Sequence, residues 1–316
     1  MVSCSPKVSN LGLPMTENES AIWPSILRGD FRALARAISH IENGIGDFHR
    51  LLMEAPPSPA GIIGITGPPG AGKSTLVDAL IGEFVAQQKK VAVLCIDPSS
   101  SFHSGALLGD RIRMSDWYSH PDVFIRSLSS KGQMGGLHPA ILEIADLMKA
   151  AGFDHVLIET VGVGQSEVEI AALADTTVLV LVPEAGDDIQ MMKVGIMEIA
   201  DIFVVNKADR PGADLFIGNL RSMQTFAPRW AGKSIPIVKT IASQKQGVAG
   251  LAMLISEALA KKEDHGKKYR VLAERAYLLI QRQKMKGISR AALADKIEEA
   301  SAAGEPNLYR LIREWL

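Results

Sequence analysis

The sequence predicts an α/β fold, a mostly parallel β-sheet covered by helices on both faces, and three observations predict it. Between residues 60 and about 260, short apolar runs alternate with stretches of helical periodicity, the pattern of parallel strands joined by crossover helices. A glycine-rich octapeptide, Gly67-Pro68-Pro69-Gly70-Ala71-Gly72-Lys73-Ser74, stands between one such run and one such stretch. The other chemistry-bearing residues each begin where an apolar run ends, and open α/β sheets bind ligands at the carboxyl ends of their strands.

Composition bounds the classes. The chain has 316 residues, enough for one large domain and smaller appendages, and at 47% hydrophobic and 22% charged it matches neither a disordered nor a membrane protein. No apolar run approaches the length of a membrane span, and no continuous apolar segment near Lys7 reads as a secretory leader. Cys4 and Cys95 are the only cysteines, so neither a disulfide nor a zinc site is expected, and the reading is cytoplasmic. A net charge of -1 gives no reason to expect nucleic acid.

Taken in order, residues 1–20 are polar, and apolar residues from Ile26 to Ile41 predict one amphipathic helix. Arg28, Arg32 and Arg36 would share a face of it, either solvated or turned to an anionic partner. Pro56-Pro57-Ser58-Pro59 reads as a stiff linker. Strands are expected at 61–66, 91–96, 123–126, 155–159, 177–182, 202–206 and 235–239. Helices are expected at 73–87, 138–151, 189–199, 214–226 and 248–260. Beyond residue 260, Tyr269, Leu272, Ala276, Leu279 and Gln283 repeat at coiled-coil-like spacing within a basic run, and a second helix is expected over Arg290–Ala303. Leu308 to Leu316 is apolar enough to need burial. The expected domains are 1–55, a helical extension; 56–262, the α/β domain; and 263–316, a helical segment.

The octapeptide matches G-x-x-x-x-G-K-[ST], with a strand before it and a helix after it, as the phosphate-binding P-loop requires. Successive backbone N–H groups would face phosphate oxygens, helped by the helix N-terminus that Thr75 continues. Lys73 would reach the β- and γ-phosphates, and the Ser74 hydroxyl would ligate Mg²⁺. Asp97 leaves an apolar strand and Asp110 follows in a long loop; one or both would hold Mg²⁺ directly or through water, and a plain strand-ending turn is the other reading of Asp97. Glu159 ends the strand from His155, the Walker-B position, and Gly162 follows where its N–H can approach a γ-phosphate. Asn206-Lys207-Ala208-Asp209 follows another apolar run. In N-K-x-D the Asp209 carboxylate would accept from guanine N1–H and the 2-amino group together, Asn206 would brace the loop, and Lys207 would cover the base. A further base contact is expected from the Ala242 N–H. Residues 184–193 read either as a mobile reporter of nucleotide state or as an ordinary loop with a helix N-cap.

Together these residues resemble the MeaB/ArgK-like P-loop GTPases, chaperones of adenosylcobalamin-dependent acyl-CoA mutases. The likeness is most specific in Asp97-Pro98-Ser99-Ser100 with Leu108-Gly109-Asp110-Arg111, in Glu159-Thr160-Val161-Gly162-Val163-Gly164-Gln165-Ser166-Glu167, and in Phe124-Ile125-Arg126-Ser127 followed by Gly135-Gly136. The resemblance implies GTP and GDP as ligands and an Mg²⁺ neighbourhood of Asp97, Asp110 and Glu159. It also implies a mutase of the methylmalonyl-CoA type as partner, with this chain gating cobalamin cofactor loading, and a homodimer held by the C-terminal helices. Because no residue stands out as a self-sufficient base, slow hydrolysis quickened by a partner is expected. The rival readings are a metallochaperone GTPase, which would call for a His- or Cys-rich tract, and a kinase for a small metabolite or transport protein, which Asp209 argues against.

Overall fold

The computed structural model describes residues 17–45, 52–53, 55, 57–97, 114–129, 137–160, 162, 166–183, 197, 199–226, 234–260, 265–285, 288–302, 304 and 307–314. Seven strands form one sheet: β1 (Gly61–Thr66), β2 (Val91–Asp97), β3 (Val123–Ser129), β4 (His155–Glu159), β5 (Thr176–Leu181), β6 (Ile202–Val205) and β7 (Ile237–Lys239). Their order is β3-β2-β4-β1-β5-β6-β7, and every neighbouring pair is parallel. The strand that feeds the P-loop therefore lies at the centre, between β4 and β5.

The reason is visible in burial. β1, β4, β5 and β6 are buried at every position, which is why they read as near-continuous apolar runs and not as alternating ones. Alternate residues serve opposite faces. Ile63, Ile65, Val91, Val93, Leu157, Val178, Val180 and Val204 join Leu76, Leu80 and Phe84 of α3 (Lys73–Ala86) and Val248, Leu251 and Ile255 of α7 (Val248–Ala260) in one core. On the other face Leu179, Leu181, Phe203 and Val205 pack on Phe216, Ile217 and Leu220 of α6 (Ala213–Phe226). Helix α4 (Ile141–Ala150) precedes β4, and α5 (Ser166–Leu173) brings Ile170 against Gly64 of β1.

The lower rim of the sheet is closed by three aspartates, each standing immediately before a strand. Asp154 accepts from the Lys90 N–H at 2.8 Å, Asp175 from the Ile62 N–H at 2.8 Å, and Asp201 from the Thr177 N–H at 2.9 Å. Each carboxylate thus satisfies an amide within one residue of the start of a neighbouring strand and helps fix its register.

The N-terminal region departs from expectation. Two helices, α1 (Glu17–Leu27) and α2 (Phe31–Asn43), replace the single helix predicted over 26–41. Asp30 breaks it by capping α2, its Oδ1 accepting from the Arg32 N–H at 2.8 Å and the Ala33 N–H at 3.1 Å. Arg28 therefore lies outside the helix, and only Arg32 and Arg36 share the predicted basic face. Phe31 of α2 meets Phe124 of β3 and Phe153 with ring centroids 5.5 and 5.9 Å apart. Arg126 of β3 pairs with Glu42 and donates to Ser39 Oγ at 3.1 Å, so α2 is packed on the sheet.

β1 and β4 span the predicted residues, and the other strands shift by one to three residues at an end; β3 is longer, at Val123–Ser129, and β7 shorter. Helix α5 was not expected, and most of the helix expected at 189–199 lies outside the described residues. The chain divides into two compact units, Met1–Leu272 and Ala273–Leu316, the division falling inside α8 (His265–Lys284). The second unit holds the end of α8, α9 (Arg290–Ala302) and the short α10 (Leu308–Leu311), capped by Asn307. Tyr277, Ile280, Leu308 and Tyr309 are exposed. Among the described residues no helix is long and apolar enough to cross a membrane.

Candidate functional site at the carboxyl rim of the sheet

The site grows from the fork where β1 and β4 part. The ladder ends with Ile65 opposite Glu159, and the Thr160 N–H still donates to the Ile65 carbonyl at 3.1 Å. Beyond that point one chain becomes the P-loop and the other the segment leading to Gly162. Pro69 and Gly70 are exposed at the tip of the P-loop, whereas Gly67, Ala71, Lys73 and Ser74 are buried and Thr75 is half-buried in the first turn of α3.

Lys73 does not extend into solvent. Its Nζ donates to the Gly67 carbonyl at 2.9 Å and the Pro68 carbonyl at 3.1 Å, which holds the ammonium within the loop. Ser74 Oγ donates to Glu159 Oε1 at 2.7 Å, joining two of the four residues assigned to the metal from sequence. The Cys95 thiol, Glu159's register partner on β2, lies 4.0 Å from Oε2. A buried hydroxyl and carboxylate in contact are hard oxygen donors, the set that suits Mg²⁺. Gly162 fits the loop too closely for any side chain. At φ 87° its Cβ would lie 2.4 Å from the Gly67 carbonyl oxygen and 2.7 Å from Lys73 Nζ, so only glycine brings that backbone against the P-loop.

The N-K-x-D segment braces the other side of the same loop. Asn206 is buried; its Nδ2 donates to the Ala71 carbonyl at 2.8 Å, and its Oδ1 accepts from Thr240 Oγ1 and from the Ala242 N–H, both at 3.1 Å. A Cβ on Gly72 would lie 2.5 Å from Asn206 Nδ2. Lys207 adopts φ 55° and its Nζ donates to the Gly70 carbonyl at 2.7 Å. Asp209 stands exposed in the following turn, which the Arg210 N–H closes on the Lys207 carbonyl at 3.0 Å.

Two groups of sequence-predicted residues are therefore brought together: Gly67, Pro68, Lys73, Ser74, Glu159 and Gly162, and Gly70, Ala71 and Gly72 with Asn206, Lys207 and Ala242. The Ala242 N–H, assigned to the base from sequence, here serves Asn206. Asp97 ends β2 opposite Ser129. Asp110 and residues 184–193 lie outside the described residues. Among the described residues no three His, Cys, Asp or Glu side chains cluster to hold a metal ion. Sequence reasoning assigned no role to the hydroxyls of Thr66, Thr160 and Thr240; only their places beside the P-loop, Glu159 and the segment leading to Ala242 could have marked them.

Comparison with known proteins adds the following. A family model described as "Methylmalonyl Co-A mutase-associated GTPase MeaB" matches residues 34–298. A protein of Pyrococcus horikoshii, named as a GTPase, is 44% identical over 276 residues, covering 86% of each chain. A fused isobutyryl-CoA mutase of Cupriavidus metallidurans is 37% identical over 241 residues, 73% of this chain and 22% of that one. Among solved structures, a LAO/AO transport system kinase superposes with a TM-score of 0.66 over 96% of this chain and 98% of its own, at 21% identity, a likeness of fold.

Proposed function

The chain belongs to the MeaB family of methylmalonyl-CoA mutase-associated GTPases, and from that premise we propose that it chaperones an adenosylcobalamin-dependent acyl-CoA mutase. It is a P-loop GTPase that binds guanine nucleotide and hydrolyses GTP to GDP and phosphate. Its finer role in this reading is to gate loading of the mutase's cofactor and to protect or reactivate the mutase, as a homodimer joined through its C-terminal helices. The observation that carries the partner is the 37% identity with part of a protein named a fused isobutyryl-CoA mutase. Exposed Tyr277, Ile280 and Tyr309 support a covering second copy.

The residues divide the chemistry. P-loop amides and the Lys73 ammonium, which the Gly67 and Pro68 carbonyls hold in place, stabilise charge developing on the phosphates. Ser74 and Glu159 would hold Mg²⁺, with Asp97 and Asp110 as the further acids of its neighbourhood. When bound, that ion would supply Lewis-acid charge neutralisation at the phosphates. The Gly162 N–H would meet the γ-phosphate and so distinguish GTP from GDP. Asp209 reads guanine, Asn206 holds the reading loop on the P-loop, and Lys207 spans the two.

The test is GTP turnover at saturating nucleotide, with and without the acyl-CoA mutase of the same organism. The mutase should raise turnover at least about tenfold, about 1.4 kcal/mol of transition-state stabilisation. It should also bind with different affinity in the GDP and GTP-analogue states. No stimulation together with equal affinities would overturn the partner assignment.

A further inference from the structure

Thr66 and Thr160 occupy matching places at the fork: Thr66 is the last residue of β1, directly before Gly67, and Thr160 directly follows Glu159. Both are buried, at 0% and 1% exposure, and Thr160 Oγ1 donates to Thr66 Oγ1 at 2.9 Å. This bond forms one step past the last ladder pair, beside the backbone bond from the Thr160 N–H to the Ile65 carbonyl. The loops meet again at Gly162, which packs on the Gly67 carbonyl, the oxygen to which Lys73 also donates.

We infer that Thr66 and Thr160 are positioning residues, a hydroxyl latch that sets the gap between the P-loop and the Gly162 segment and thereby the preference for GTP over GDP. The inference rests on the reading that Gly162 meets the γ-phosphate. With the latch closed, the start of each loop is fixed at the strand ends, and Gly162 is held against Gly67 and Lys73. Without it, the segment after Glu159 is tethered to β1 only by its backbone, and the Gly162 N–H loses its fixed distance from Lys73. GDP lacks the phosphate at issue, so its affinity should change little.

Valine replaces threonine with little change of volume and no hydroxyl, which separates the bond from the packing. The variants are Thr66→Val, Thr160→Val, the double valine variant and Thr160→Ser. Unfolding stability is measured alongside affinities for GDP and for a non-hydrolysable GTP analogue. Each single valine variant leaves one buried hydroxyl alone and should be less stable, whereas the double variant removes both hydroxyls and should regain stability. If the pair positions the loop, affinity for the analogue relative to GDP falls roughly three- to tenfold, the worth of one hydrogen bond, in all three valine variants. Thr160→Ser should keep the wild-type ratio. A wild-type ratio in Thr160→Val, or a ratio restored with stability in the double variant, would overturn the latch. Gly162→Ala separates the underlying reading: an unchanged ratio there refutes the γ-phosphate contact itself. A collapsed ratio in Gly162→Ala beside a wild-type ratio in Thr160→Val refutes the latch alone.

Discussion

Replacing Asn206 with alanine removes three hydrogen bonds at one stroke: to the Ala71 carbonyl, from the Thr240 hydroxyl and from the Ala242 N–H. Three net bonds at about 1 kcal/mol each give a loss of about 3 kcal/mol. Ala71, Thr240 and Ala242 are all at most 4% exposed. Their stranded polar groups are therefore out of reach of bulk water, and the expected loss rises to about 3–5 kcal/mol. Because all three bonds lie within the chain, the loss should be present in nucleotide-free protein, read as unfolding free energy in urea. GDP affinity should fall too, since the P-loop and the N-K-x-D segment lose their shared brace. Asn206→Asp is the informative partner: it keeps an acceptor for Thr240 and Ala242 but turns a carboxylate oxygen toward the Ala71 carbonyl. A double-mutant cycle of Asn206→Ala with Thr240→Val should show a coupling of about 1 kcal/mol. A stability loss under about 1 kcal/mol for Asn206→Ala in free protein would refute the bracing argument.

Asp209→Asn should weaken guanine binding by about 2–4 kcal/mol while gaining xanthine nucleotide, because an amide can donate to the 2-oxo group; equal wild-type affinity for ATP and GTP would refute the base reading. Glu159→Ala should lose GTP turnover far more than GDP affinity, since its contact with Ser74 lies at the proposed metal donors; wild-type turnover in this variant would show the role misassigned. His155 supplies a pH dependence. Its ring lies 4.3 Å from that of Phe84, its Nδ1 has no hydrogen-bond partner among the described residues, and burial pushes its pKa below the ordinary 6.5. The unfolded chain therefore binds the proton first: stability is full above about pH 6.5 and falls as the pH drops toward the folded value, by at most about 1.4 kcal/mol per pH unit. Unfolding titrations of wild type and His155→Phe should differ in slope only below that point, and identical slopes would remove His155 from the account.

The sheet and the phosphate and base motifs were legible because one physical condition wrote both. Strands buried on two faces are largely apolar, so β1, β4, β5 and β6 stand out as runs, and each motif begins where a run stops. The break between α1 and α2 was hidden because apolar periodicity continues across it; the cap at Asp30 decides, and a cap is a geometry, not a composition. Helix α5 was hidden because Ser166 and Glu167 also read as the end of the phosphate loop. The Ala242 N–H went to Asn206 because a buried amide oxygen recruits the nearest donors, something no spacing displays. The threonine pair was invisible for the same reason. Neither hydroxyl carries a role in any motif, and only the register of β1 against β4 joins them.

The three aspartates at the lower rim bear on the order in which the chain assembles. Their bonds close chain segments of very different length: 24 residues for Asp201, 64 for Asp154 and 113 for Asp175. Loop-closure entropy makes the longest cost about 1.4 kcal/mol more than the shortest. We expect β5 and β6 to be clasped first, β2 and β4 next, and β1 last, slotted between β4 and β5 once both are present. Refolding kinetics can tell. Asp175→Asn should speed unfolding while leaving the folding rate nearly unchanged, and a comparable slowing of folding would reverse the order. The strand that delivers the P-loop would then be the closing piece of the sheet, so a newly made chain gains its nucleotide site only when the rest of the sheet is already standing.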